Sequence, residues 1–181
     1  MFCFIHIEKT AGTTLDYIFI NNFTFYYGLK SWCYWTNEPN TYFDEKDYKN
    51  IKLLFPFIKG IGGHSLRSWL SYEKHSNDIK YITFFRDPVS RYISHFRYQK
   101  NKMNIPWKIN DFTNDKRFNN YMTFRFSETG DINEAKDNVS KLDFIGLQEE
   151  FDLSLLLMKH YLPEFNLSVN YETKNINKQK K

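Results

Sequence analysis

The stretch from Phe2 to Phe19 sets the tightest limit on the fold. Phe2 to Ile7 is a short apolar run that reads as a buried strand. It breaks at Lys9-Thr10-Ala11-Gly12-Thr13-Thr14. Leu15, Ile18 and Phe19 then share one helical face, which predicts a helix over Asp16 to about Asn21. A strand, a tight loop and a helix in series turn the loop's N–H groups and the positive end of the helix dipole toward one point. One lysine and three threonine hydroxyls add to that field, and the guest such a loop suits is a phosphate or sulfate. Two readings fit this stretch alone: an anion cradle, or an ordinary turn whose threonines cap the helix. The Walker A order, with its lysine after the second glycine, does not occur; Lys9 precedes Gly12.

A chain of 181 residues fits one domain, expected over residues 1–165 with a polar, basic tail at 166–181. The net charge of +4 is drawn partly from Lys174, Lys178, Lys180 and Lys181, and it suits anionic ligands. Because no RNP-like, zinc-finger or helix-turn-helix pattern accompanies the charge, no nucleic acid partner is expected. Cys3 and Cys33 cannot build a disulfide framework, and neither has metal-binding spacing, so no metal is expected either. No apolar run approaches the roughly 18 residues of a membrane span, and no signal peptide is evident. The expectation is a cytoplasmic protein without a membrane span.

Along the chain, Asp44 to Asn50 reads as a short helix or turn, and Lys59-Gly60-Ile61-Gly62-Gly63-His64 as a strand end passing close to something. Ser65 to Tyr72 is a candidate short helix, and Trp32 and Trp35 could line a groove. Asp78 to Phe85 is the strongest strand, running into Arg86-Asp87-Pro88, where Asp87 suits an N-cap and Pro88 the first helical position. Val89, Tyr92, Ile93 and Phe96 have helical spacing and predict the apolar face of that helix. Lys100 to Asp115 reads as a surface excursion, and Lys116 to Phe126 and Ile132 to Lys141 as helices. Leu142 to Leu147 is a further strand, and Glu149 to Leu162 an amphipathic helix. Strands alternating with helices predict an α/β, P-loop-like three-layer fold with a central, mostly parallel sheet flanked by helices.

Seven residues separate Asp87 from Ser94, so Ser94 returns to the face on which the helix begins, and Arg86 with Ser94 could meet on one phosphate. An arginine paired with Asp87 beside a capped helix fits equally well. Three blocks then stand in order: His6-Ile7-x-Lys9-Thr10-x-Gly12-Thr13-Thr14-Leu15, Phe85-Arg86-Asp87-Pro88-Val89-x-Arg91-x-x-Ser94-x-Phe96, and Phe144-Ile145-Gly146-Leu147-x-Glu149-x-Phe151-Asp152-x-Ser154-Leu155. Together they closely resemble the carbohydrate sulfotransferases of the heparan sulfate 2-O- and 6-O-sulfotransferase type and their shorter bacterial and viral relatives. The resemblance runs from residue 4 to about residue 157.

That resemblance implies a donor, 3′-phosphoadenosine 5′-phosphosulfate (PAPS), and a hydroxyl acceptor on a glycan. It implies that Lys9, Thr10, Ala11, Gly12, Thr13 and Thr14 hold the 5′ phosphosulfate end, and that Arg86 and Ser94 hold the 3′-phosphate. Sulfuryl transfer needs a base for the acceptor proton and positive charge on the oxygens as the S–O bond breaks. Lys9 suits the charge role. His64 is the expected base, as relatives carry a Gly-His in the comparable region, and His95 could take a cofactor-side role; Glu8 and Glu73 are weaker candidates for the base. Three departures stand out. Glu8 occupies a position where many members have proline, so an acid stands next to an anion site and is expected either to point away from it or to act on the acceptor side. The Asn120…Arg125 segment carries one residue more than the family's Asn…Thr-Arg pattern, leaving Arg125 as an expected substrate contact. The chain is also shorter than the animal enzymes. A P-loop phosphotransferase, or a non-catalytic module binding nucleotides or polyanions on the same fold, are the alternatives.

Overall fold

The computed structural model describes residues 1–23, 25–29, 42–70, 79–115, 118–169 and 171. Among them run β1 (Phe2–Ile5), α1 (Gly12–Asn22), β2 (Tyr26–Leu29), α2 (Glu45–Leu54), β3 (Gly60–Gly63), β4 (Lys80–Phe85), α3 (Pro88–Asn101), α4 (Ile109–Asn114), α5 (Tyr121–Phe126), α6 (Ile132–Ser140), β5 (Phe144–Leu147), α7 (Phe151–Tyr161) and a 3₁₀ turn (Pro163–Phe165). The strands form one sheet in the order β2-β3-β1-β4-β5, and every neighbouring pair is parallel. This is the three-layer α/β fold that the alternation predicts.

β1 lies at the centre, paired with β3 on one side and β4 on the other, and all four of its residues are buried. A strand covered on both faces cannot alternate apolar with polar, which is why Phe2 to Ile5 reads as an unbroken apolar run. Phe2 and Phe4 pack with Leu15, Ile18 and Phe19 of α1 and Leu155 and Met158 of α7. Cys3 and Ile5 point the other way, into a cluster with Tyr48 of α2, Tyr121 and Phe126 of α5 and Ala135 of α6. Burial pushes the Cys3 thiol up to about 12, as a core position demands. After β1 the chain fills the β2–β3 side of the sheet, then crosses to the β4–β5 side. The switch point therefore falls at the carboxyl ends of β1 and β4, where open parallel sheets form their ligand crevice.

The structure corrects several expectations. α1 begins at Gly12, four residues earlier than its apolar spacing suggests. Residues 65–70 form turns rather than a helix, and the rest of that candidate lies outside the described residues. The excursion from Lys100 to Asp115 holds α4, whose Phe112 is fully buried against Phe118, Tyr92 and Trp107. α3 keeps half of its expected face: Tyr92 and Phe96 pack on Phe112, but Val89 and Ile93 are 66% and 42% exposed, and Arg91, His95 and Gln99 form the buried stripe at i, i+4 and i+8. The tail predicted from Asn166 begins inside the fold, with Leu167 in the core and Ser168 N donating to Asn22 Oδ1 at 2.6 Å. Trp32, Cys33, Trp35, Glu73 and the terminal lysines lie outside the described residues.

Candidate active site

The loop between β1 and α1 is built on unusual backbone. Lys9 and Ala11 have φ of 68° and 66°, while Thr10 between them has none of this character. Such alternation turns successive N–H groups toward a common point, as in the backbone nests that bind anions. Left-handed geometry costs a residue with a Cβ roughly 1–2 kcal/mol, so the surrounding fold must enforce it. α1 carries no side-chain cap, which removes the reading in which the threonines merely cap a helix. The N–H groups of Gly12 and Thr13 belong to the first turn, where an α-helix has no internal acceptor for them.

The side chains of the loop divide into two sets. Thr10 is fully buried, and its hydroxyl donates to Ile7 O at 2.9 Å, so it braces the loop from inside. Thr14 is also buried, whereas Thr13 is exposed at the loop's open side. Gly12 is needed for packing: a Cβ there would collide with the His6 ring. That ring lies 3.3 Å from Asp16 Oδ2 through Nδ1, and Asp16 in turn accepts from Tyr26 Oη at 2.6 Å.

Lys9 is half-buried, with Nζ 4.2 Å from the centre of the Tyr98 ring. Burial lowers its pKa, the nearby Arg86 lowers it further, and Glu8 partly opposes them. Arg86, one residue past β4, donates from Nη1 to Lys9 O at 3.2 Å, while its Nε is buried without a partner. Asp87 does not serve as its counter-ion by hydrogen bonding. Asp87 Oδ1 accepts from Ser90 N at 2.8 Å as the helix N-cap. Ser94 is partly buried one turn before Tyr98, the residue beneath Lys9, so α3 carries it toward the same end of the sheet.

The third sequence block supports this turn. Glu149 Oε1 accepts from Asp87 N at 3.0 Å, Gln148 N donates to Phe85 O at 2.8 Å, and Ser154 Oγ accepts from Leu147 N at 2.9 Å. Together these bonds fix the end of β4, and with it Arg86.

His64 follows β3. Its ring packs on His6 at 4.0 Å between centres, and Nδ1 lies 2.8 Å from His6 O and 3.4 Å from Glu8 Oε1. Both neighbours are acceptors, so Nδ1 carries the hydrogen and Nε2 the lone pair. Burial, with the charges on His6 and Arg125, holds the His64 pKa well below 6.5, so the ring is neutral at neutral pH. Glu8 is turned toward His64, which accounts for an acid beside an anion loop.

Arg125 and His95 are both buried. Arg125 is 2% exposed and donates from Nη2 to His6 O at 3.0 Å and to His64 O at 2.5 Å, gripping backbone rather than a surface. His95 is sealed among Phe112, Phe118 and Tyr121, and burial drops its pKa to about 4. Arg91 donates to His95 Nδ1 at 3.4 Å, which leaves the proton on Nε2, 3.2 Å from the Gln99 amide nitrogen. Since Gln99 Oε1 has no partner as placed, a half-turn of the amide satisfies both groups. The charges of Glu8 and Lys9 also act on the ring, so His95 lies buried behind the β1 loop. Arg67, which sequence reasoning missed, donates from Nη1 to His64 O at 2.6 Å. A lone arginine after a strand gives no local signal of such a contact.

Among the described residues, no group of His, Cys, Asp or Glu could hold a metal ion, and no helix is long and apolar enough to cross a membrane. An uncharacterised protein of Archaeoglobus fulgidus is 27% identical over a gapped alignment of 200 positions that takes in 91% of this chain and 75% of that protein. The model of the sulfotransferase family matches residues 1–175. Lys9, Arg86 and His64 thus stand at one end of a parallel sheet in a chain that belongs to the sulfotransferase family.

Proposed function

We propose that the protein moves the sulfuryl group of PAPS to a hydroxyl of a carbohydrate. The observation that carries this reading is the junction of Lys9 and Arg86: a left-handed loop, a half-buried lysine and a guanidinium with a buried, unpartnered Nε meet at the switch point of the sheet. The Arg86 charge adds to burial in lowering the Lys9 pKa, and an anion bound between the two cations would relieve that repulsion. The loop from Lys9 to Thr14 would hold the 5′ phosphosulfate, with its N–H groups as far as Thr13, because Thr14 N donates to Ala11 O, and Arg86 with Ser94 would hold the 3′-phosphate. The glycan acceptor follows from the resemblance to the heparan sulfate enzymes.

In the reaction, the acceptor oxygen bonds to sulfur as its proton passes to His64 Nε2. The bond between sulfur and the bridging oxygen breaks, and its electron pair stays on the departing 3′-phosphoadenosine 5′-phosphate. Lys9 donates to that oxygen as charge develops. Glu8 and the His6 carbonyl, both on the Nδ1 side, stabilise the imidazolium that results.

Transfer of ³⁵S from labelled PAPS to a panel of polysaccharides, tested alongside lipids and small alcohols, tests the reading. Labelled polysaccharide is expected from the native protein and at least about 100-fold less from His64→Ala. Label in a lipid or alcohol alone would overturn the carbohydrate assignment, and nucleotide or heparin binding without label in any acceptor would favour a non-catalytic module.

A further inference from the structure

We propose that Arg125 is a positioning residue for His64, its guanidinium joining the carbonyl oxygens of His6 and His64 so that the imidazole is held with Nδ1–H on His6 O and Nε2 facing the acceptor. The inference rests on His64 being the base.

Arg125 lies near the end of α5, and its Nη2 reaches the residues just past β1 and β3. One is the ring's own backbone, and the other carries the carbonyl to which Nδ1 donates. A buried arginine is expensive unless a carboxylate accompanies it, yet among the described residues none is paired with Arg125. Its compensation is two carbonyl dipoles and the Tyr121 ring at 5.5 Å. Leucine could fill the same volume more cheaply, so the charge is kept for what it contacts. Arg67 grips the same His64 oxygen from the chain that follows β3, so the backbone of the base is fixed from two sides.

The groups facing His64 are Glu8 from the loop, His6 from the end of β1, Asp16 from α1, Arg125 from α5 and Arg67 from its own segment. Arg125 also acts on the ring through its charge, in the direction that keeps the imidazole neutral. Both bonds leave one nitrogen, Nη2, in the fixed plane of the guanidinium; lysine at this position would keep the charge but donates from a shorter stem through a freely rotating ammonium without that plane. Geometry and charge are therefore separable.

The test is nitrogen-15 NMR of the full chain labelled at histidine and arginine, with no donor or acceptor added and with His64 assigned by its loss in His64→Gln. In the native protein, His64 is expected as the Nδ1–H tautomer, with Arg125 guanidinium protons resolved and slow to exchange. The Nε2–H tautomer, or averaged Arg125 protons, would overturn the proposal without any variant. In Arg125→Lys, the tautomer is expected to become mixed while the His64 pKa stays low, and in Arg125→Gln the pKa is expected to rise as well. Transfer should fall about 10- to 100-fold in kcat with the KM for donor unchanged. A native tautomer in a folded Arg125→Lys protein would overturn it. Because tautomer and titration are read without turnover, failure of every acceptor would count against the sulfotransfer reading alone.

Discussion

Ala11 and Lys9 carry positive φ without being glycine, and the nest proposed for the anion depends on that geometry. If the fold forces Ala11 into this geometry, Ala11→Gly should raise stability by about 1 kcal/mol in denaturant unfolding, and Ala11→Val should lower it. A loss on Ala11→Gly would contradict the left-handed assignment. Gly12 behaves oppositely. Its added Cβ would displace the His6 ring and disturb Asp16 and His64 behind it, so Gly12→Ala should destabilise by about 2 kcal/mol or more. His95 sets a pH dependence. Folding holds it neutral down to about pH 4, whereas the unfolded imidazole takes a proton near its ordinary pKa of 6.5. Between those limits the unfolded state binds more protons, so stability is full above about pH 6.5 and falls as pH drops toward 4. The loss for this residue is at most about 3 kcal/mol, and a folded His95→Gln variant should show a shallower decline in melting temperature across the same window.

At the scale of elements, α3 shows why part of the fold was illegible. Its apolar spacing through Val89 and Ile93 is real, but the stripe of Arg91, His95 and Gln99 is the one buried, against aromatics contributed by α4, α5 and the turn before α5. A periodicity rule weighs hydrophobicity alone and cannot foresee a polar stripe whose partners are distant rings. Ile93→Ser should therefore change stability by less than about 0.5 kcal/mol, while Gln99→Ala should cost about 1–3 kcal/mol. Equal losses would refute the orientation. α6 was legible, because Asp131 caps it through the N–H groups of Asn133 and Glu134, and such caps are written locally. The β1 loop, β4 and the Arg86 turn were legible for the same reason. Arg125 was located, but its backbone contacts were not: they lie 119 and 61 residues away, at strand ends whose adjacency only the sheet order creates.

For the whole molecule, the parallel sheet gathers three segments that are distant in sequence. The loop after β1, His64 after β3 and Arg86 after β4 all follow strands that end on the same side, and β5 fixes the last through Glu149 and Gln148. A strand order that interleaves early and late strands is what turns three ordinary strand ends into one site. A site that binds a nucleotide at both of its anionic ends would show itself in calorimetric titration with 3′-phosphoadenosine 5′-phosphate. Saturable binding is expected, weakened at least about 100-fold in Arg86→Ala and clearly weaker for adenosine 5′-phosphate, which lacks the 3′-phosphate. No binding at millimolar nucleotide, or equal binding by native protein and Arg86→Ala, would contradict it.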